Sequence, residues 1–305
     1  MRYQKLDLNL LVALDALLAQ RNVTRAAAQL HISQSAASNA LGRLRRYFGD
    51  ELLARVGRRM ELTPRAEALR ESVHDVLLRV DAGITTQPGF DPARSEREFR
   101  LYLSDYMALS FMPRFMALAG REAPHVRFTM LRQGSQPLQA IERGEADVLV
   151  LPGPYCTPEH PQEPLYHEGY CCVVWRGSRI ARRRLSRQVY LDAGHVVMEP
   201  PGRANPAYES RELQRLGVQR RIEVSTYSFV AAATLVIGTE RIATVHQRLA
   251  RTLARSLPLA MRPMPIPLEP MRQVMQWHRH RTQDPGLLWL RGLMARAGRQ
   301  LRSNR

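Results

Sequence analysis

The sequence predicts an α/β chain with two regimes: a helical start built as a winged helix-turn-helix, then a linker helix leading into two α/β lobes. Three observations carry this. Apolar residues step at helical intervals through the first 48 residues, a basic hairpin follows, and from about residue 97 strand-like runs alternate with helical ones. At ~150 residues per domain, 305 residues suggest about two domains.

Leu6, Leu10, Leu14, Leu17 and Leu18 recur at helical spacing and predict a helix over about 6 to 20. Asn22 or Thr24 caps a second, short helix through Ala26, Ala27, Ala28 and Leu30. After a break at His31-Ile32, Ser33 caps a third helix ending near Phe48. Its buried stripe is Ala37, Leu41, Leu44 and Phe48; Ser35, Ser38, Asn39, Gly42, Arg43 and Arg46 take the other side, with Gln34 at the leading end. Gly49-Asp50 turns the chain into short strands at 52–56 and 60–62, around the tip Gly57-Arg58-Arg59. Thr63 caps and Pro64 opens a helix over about 64 to 83. Its apolar residues Ala68, Val73, Val76, Leu77 and Val80 have few local neighbours, so a second subunit is expected to cover them. Gly83, Pro88, Gly89 and Pro92 mark a linker.

Beyond it, strands are predicted at 99–103, 126–131, 148–151, 171–175, 195–198, 222–224 and 242–245. Helices fall at about 107–120, 136–143, 207–216 and 228–237. The alternation argues for parallel sheets with helices on both faces, divided between two small lobes.

Composition narrows the function. Lys+Arg 45 against Asp+Glu 28 gives a net charge of +17, and Lys5 is the only lysine. Such an excess favours an anionic partner, nucleic acid before an acidic membrane surface. No run approaches ~18 apolar residues, so no membrane span is expected. Asp7, Asn9 and Asp15 interrupt what a secretory segment would need, which points to the cytoplasm. Cys156, Cys171 and Cys172 suit neither a disulfide framework nor a zinc site and read as buried, inert thiols. Trp277-His278-Arg279-His280 reads as a strand end beside the core, not a metal site. No Ser/His/Asp order, phosphate loop or carboxylate pair suggests an enzyme, and no cofactor is expected. Arg176, Arg179, Arg182, Arg183, Arg184 and Arg187 read as a solvated loop, a second nucleic-acid patch being the alternative.

The span from Val23 to Tyr47 is a helix-turn-helix whose second helix fits a DNA major groove. Ser33, Gln34, Ser35, Ser38 and Asn39 are candidates for base contacts, and Gln34 and Asn39 each offer adenine a donor and an acceptor. Arg43 is placed for guanine or phosphate, while Arg45 and Arg46 suit phosphates. Thr24 and Arg25 on the preceding helix and Arg58 and Arg59 at the hairpin tip complete the candidate DNA set. The alternative is an ordinary surface helix with a solvated face.

The run Ala27-Ala28-Gln29-Leu30-His31-Ile32-Ser33-Gln34-Ser35-Ala36-Ala37-Ser38-Asn39-Ala40-Leu41, continuing through Leu44, Gly49 and Arg55, resembles the LysR-type transcriptional regulators. Ser35 stands where proline is common in that family, and Leu53 where phenylalanine is. Thr63-Pro64-Arg65-Ala66, Phe111-Met112-Pro113-Arg114 and Gly238-Thr239-Glu240-Arg241-Ile242-Ala243-Thr244 resemble its nodulation-gene and naphthalene-degradation subgroup, which responds to flavonoids and small aromatic acids. The resemblance implies a DNA-binding domain over 1–63, a dimerising linker helix and hinge over 64–91, and a periplasmic-binding-protein-like effector domain over 92–305. Lobe I would take 92–162 and 267–305, lobe II 163–266. It also implies double-stranded DNA as partner, a homodimer assembling into a homotetramer, and RNA polymerase as a further contact.

Ligands of open α/β sheets collect beyond the carboxyl ends of strands. That singles out Ser104, Asp105 and Tyr106, then Gln133 and Ser135, whose following helix offers N–H groups to an anion. The other lobe contributes Gly202, Arg203, Tyr227, Phe229 and His246; the resemblance puts Phe229 and His246 near the cleft. Tyr106 and Phe229 would supply stacking, Arg203 and His246 positive charge, for an aromatic acid or phenolic co-inducer. A helix cap at Ser104 and a satisfied loop histidine at His246 are the alternatives. Competing classes are a basic small-molecule binding or transport protein and a two-lobed transferase.

Overall fold

The computed structural model describes residues 7–57, 59–80, 89–132, 136–199 and 206–302, apart from the side chains of Leu8, Glu71 and Leu78. The chain up to Gln87 forms one compact unit, and most of the chain beyond it forms a second.

In the first unit, α1 (Leu8–Gln20), α2 (Val23–Gln29) and α3 (Gln34–Phe48) each begin at a short polar acceptor. Asn22, rather than Thr24, caps α2, its Oδ1 accepting from the Arg25 amide at 3.0 Å; Ser33 Oγ accepts from the Ala36 amide at 3.1 Å. Gly49, at φ +63°, ends α3 in the left-handed conformation that glycine tolerates. Leu41 and Leu44 of α3 close on Leu14, Leu17 and Leu18 of α1. The hairpin β1 (Leu53–Val56) and β2 (Arg59–Leu62) is tied to its surroundings by Asp50, whose Oδ1 accepts from the Leu52 amide at 2.7 Å and the Thr63 hydroxyl at 2.6 Å. Those two bonds hold the Asp50 carboxyl below the usual carboxylate range. Thr63 Oγ1 in turn caps α4 (Pro64–Val80).

The expectation that a second subunit covers Val73 and Leu77 is corrected. Ala66 and Val73 are buried with Leu10, Leu14 and Leu17, Leu69 and Leu77 pack on the same cluster, and His74 Nδ1 lies 3.1 Å from Asp15 Oδ1 on α1. Helix α1 is apolar on more than one side, so it covers α3 and α4 at once. Among the described apolar residues of α4, Ala68 and Val76, the latter 43% exposed, face outward.

The second unit holds two five-stranded sheets. The first joins β3 (Glu98–Leu103), β4 (Arg127–Arg132), β5 (Val148–Pro152), β6 (Gln162–Glu168) and β12 (Met271–Gln276), in the order β4-β3-β5-β12-β6. The second joins β7 (Tyr170–Trp175), β8 (Gly194–Met198), β9 (Arg221–Thr226), β10 (Ile242–His246) and β11 (Leu259–Pro263), in the order β11-β7-β10-β8-β9. All seven strands expected from the sequence are present. The sheets are mixed, not parallel: β12 runs antiparallel to β5 and β6, and β7 antiparallel to β10 and β11. The chain leaves the first lobe along β6 and returns along β12, and these two strands pair. Strand β6 therefore belongs to lobe I, which moves the first crossover from residue 162 to Gly169. Leu165 and Tyr166 are buried in the lobe I core, and α12 (Pro285–Arg302) packs on β6. At Gly298 a Cβ would lie 2.7 Å from the Leu165 carbonyl oxygen, so glycine permits this approach.

The expected helix over 107–120 is two helices, α5 (Asp105–Ser110) and α6 (Met112–Glu122), with Pro113 in the first turn of the second. Next come α7 (Pro137–Glu142), α8 (Arg187–Asp192), α9 (Tyr208–Arg215), α10 (Phe229–Thr234) and α11 (Gln247–Leu253). Arg97 forks onto Asp284 at 2.6 and 2.7 Å, tying the approach to β3 to the start of α12. Cys171 and Cys172 are buried in β7, and burial pushes the Cys171 thiol up to about 12. Trp277 is buried directly after β12. Arg182, Arg183, Arg184 and Arg187 are exposed. Among the described residues, no helix is long and apolar enough to cross a membrane.

Candidate nucleic-acid interface and interlobe site

Helix α3 separates its residues by face. Ala37, Leu41 and Leu44 are buried, while Ser33, Gln34, Ser35, Ser38, Asn39, Arg43 and Arg46 are exposed, as are Thr24 and Arg25 on α2. Ser33 and Ser35 hydroxyls lie 2.9 Å apart at the leading end. Among the described residues Arg43 pairs with Asp7 at 3.8 Å, a solvent-exposed contact that screening leaves weak. The face therefore presents amide and hydroxyl groups flanked by guanidinium groups, the combination that reads base edges and grips phosphates. Arg45 departs from its expected role: it donates to the carbonyls of Glu51 and Leu53 at 2.8 and 3.0 Å and pairs with the Glu51 carboxylate. It braces the wing onto α3. Arg59 is exposed at the start of β2; Arg58 lies outside the described residues.

Between the lobes, the structure brings Ser104, Asp105, Tyr106, Phe229 and His246 together and turns them largely toward one another. Ser104 is a helix cap, its Oγ accepting from the Met107 amide at 3.4 Å. Tyr106 is fully buried and stacks on His246 at 3.8 Å, with Phe229 edge-on to both. Its hydroxyl donates to Glu168 at 2.9 Å. This corrects the expectation that Tyr106 offers an effector a free stacking surface: the histidine of the other lobe already occupies its face. His246 is 2% exposed, and burial pulls its pKa down to about 3. It is therefore neutral and supplies no positive charge, which corrects the second expectation. Tyr227 is 76% exposed. Gln133, Ser135, Gly202 and Arg203 lie outside the described residues.

Sequence reasoning missed four partners here. Glu168, fully buried one residue before the Gly169 crossover, receives Arg248 Nη1 at 2.6 Å and the Arg248 amide at 3.2 Å. Tyr166 joins that network through the Tyr106 hydroxyl at 2.7 Å. Ser228 meets Asp105 across the lobes at 2.5 Å. Ser228 alone carried a local signal, a capping residue just before a helical run; the others are set by pairing across the crossover.

Comparison with known proteins places this geometry. Residues 8–67 match the bacterial regulatory helix-turn-helix protein, lysR family, and residues 92–299 match the LysR substrate binding domain. The chain belongs to the LysR family. Nodulation protein D 1 of Rhizobium tropici is 39% identical over 99% of this chain and 98% of its own length. Nodulation protein D 2 of Rhizobium leguminosarum bv. phaseoli is 38% identical over 100% and 96%. Among solved structures, a probable transcriptional regulator from Pseudomonas aeruginosa is 30% identical with a TM-score of 0.68, covering 95% of this chain and 97% of that one. CbnR, solved in complex with its target DNA, shares the fold at 16% identity and a TM-score of 0.54, covering 96% of this chain and 100% of its own. This LysR-type chain is a DNA-binding transcriptional regulator with an effector-binding domain, not an enzyme.

Proposed function

We propose that this regulator reads an inverted-repeat promoter site as a homodimer joined through α4, assembles further into a homotetramer, and acts in the cytoplasm with RNA polymerase as its downstream contact. The observation that carries the reading is the outward face of α3, which exposes Ser33, Gln34, Ser35, Ser38 and Asn39 for base edges, Arg43 for guanine or phosphate and Arg46 for phosphate. In this reading Thr24 and Arg25 of the preceding helix and Arg58 and Arg59 of the wing sequence hold the flanking backbone. The dimer surface of α4 centres on Val76. The working division is a DNA-binding domain over 1–63, a linker over 64–91 and an effector domain over 92–305.

The effector is a small aromatic acid or phenolic bound between the lobes, with Phe229 and, on the sequence alone, Gln133, Ser135, Gly202 and Arg203 as its candidate contacts; the Asp105 carboxylate is already taken by lobe II donors and is left out of that set. Its binding shifts the lobe arrangement and, through the linker helices, the spacing of the recognition helices, a population shift rather than catalysis. Calorimetry with benzoates, salicylates and flavonoids tests this, with footprints on an inverted repeat recorded alongside. Binding of an aromatic compound that alters the footprint is expected. Binding of an amino acid or sugar acid, with no response to the aromatic panel, would overturn the effector class and leave the DNA-reading assignment standing.

A further inference from the structure

The contact between α5 and α10 is built around one carboxylate from the opposite lobe. Asp105 Oδ2 accepts from the Ser228 hydroxyl at 2.5 Å and the Val230 amide at 3.1 Å, and Oδ1 accepts from the Phe229 amide at 3.3 Å and its own neighbour Tyr106 at 2.8 Å. Asp105 is not needed to start its own helix, because Ser104 already caps α5. What needs it is α10. The first amides of a helix have no intrahelical acceptor. Ser228 supplies one, to the Ala231 amide at 2.9 Å, and Asp105 supplies those for the two preceding amides, Phe229 and Val230, from lobe I.

Other ties between the lobes, beyond the Tyr106–His246 stack, differ in kind. Half-buried Arg248 and buried Glu168 sit beside the crossover and hold the pivot itself. Tyr155 donates a single bond, at 2.7 Å, to the Pro206 carbonyl. Asp105 gathers three donors of lobe II on one charged group, and charge-assisted bonds are the strong and distance-sensitive ones. A shift of α10 against α5 by about 1 Å would take these contacts out of hydrogen-bonding range.

We propose that Asp105 is the positioning residue that couples the two lobes: its carboxylate, held by the Ser228 hydroxyl and two α10 amides, sets where α10 sits against α5 and so passes effector occupancy from one lobe to the other. The coupling half rests on the effector-controlled regulation proposed above; the clamp itself does not.

Asp105→Asn keeps the size of the side chain but turns one acceptor into a donor facing lobe II donors. In the full-length protein without effector, hydrogen exchange at the Phe229 and Val230 amides should accelerate about fivefold or more in this variant. Ser228→Ala, approaching the same clamp from lobe II, should move exchange in the same direction, and Asp105→Glu should restore part of the protection. Salicylate and 7-hydroxyflavone are then titrated by intrinsic fluorescence and by footprinting. For whichever compound alters the wild-type footprint, Asp105→Asn should bind it within about threefold of the wild-type Kd yet lose most of the footprint change. Exchange within about twofold of wild type in both Asp105→Asn and Ser228→Ala overturns the clamp. Accelerated exchange with a full footprint response overturns the coupling. A wild-type footprint that neither compound alters counts against the effector class, and the exchange comparison still decides the clamp.

Discussion

On α3, Gln34, Ser38, Asn39, Arg43 and Arg46 face solvent around a buried stripe of one alanine and two leucines; between the lobes, Asp105, Tyr106, Phe229 and His246 face one another. The same residue classes therefore do opposite work. On the winged unit the polar groups face solvent, and the apolar groups beneath hold them in place. Between the lobes the described polar groups Ser104, Asp105, Glu168 and Ser228 are engaged by the fold itself.

The largest expected effect separates core from surface on one helix. Val73→Asp buries a carboxylate among Leu10, Leu14 and Leu17 and should cost about 3 kcal/mol or more, enough to unfold the winged unit in thermal melts. Val76→Asp, three residues on and exposed, should leave the melt nearly unchanged and release monomers in light scattering. Intact dimers in folded Val76→Asp protein would move the interface away from α4.

Acid should strike the interlobe contact through His246 and the interior of lobe II through His195, which sits in β8 against Tyr190. Both are buried with folded pKa values pulled down, to about 3 for His246 and about 4 for His195, so between those values and about 6.5 the unfolded chain binds more protons. Their contribution to stability is complete above the ordinary histidine range and drains as pH falls through that window. His246→Phe keeps a ring against Tyr106 and should flatten the acid limb of the stability curve, measured by urea unfolding across that range. An unchanged slope would show that His246 is not the neutral, buried partner of Tyr106.

The α3 face predicts smaller, selective losses. Gln34→Ala should lower affinity for the specific site by about 1–3 kcal/mol and barely change binding to random DNA. Arg59→Ala, weaker still, should reduce all DNA binding alike and lower the salt slope by about one, whereas Arg45→Ala should leave the salt slope alone and loosen the wing. Fluorescence anisotropy over a salt series distinguishes the three. Parallel loss on specific and random DNA in Gln34→Ala would remove it from the groove.

What the sequence made legible was local. Caps at Asn22, Ser33 and Thr63, the stripe through Leu41 and Leu44, and the strand runs of both lobes depend on residues a few positions apart, and they appear where the spacing places them. What it hid was distant. The Asp15–His74 contact that covers α4 spans 59 positions and the Asp105–Ser228 bond spans 123, and neither leaves a period or motif behind. The lobe division failed at β6 for the same reason: Leu165 and Tyr166 look like part of the second lobe until β12 returns more than 100 residues later to pair with their strand. Residue type pointed to the right end of the strands for Ser104, Asp105, Tyr106 and His246, but not to whether those side chains would be spent on a ligand or on each other.

The central claim is that the outward face of α3, repeated by a symmetric partner, reads DNA sequence. The most direct test is selection of binding sites from a random duplex library by the full-length protein at about 150 mM salt, repeated with Gln34→Ala. The wild-type protein should return an inverted repeat with half-site centres one helical turn, about 34–36 Å, or a multiple apart, and the variant should lose information at one base pair of each half-site. A library that stays random, with no enriched site bound even tenfold better than the starting pool, would contradict it.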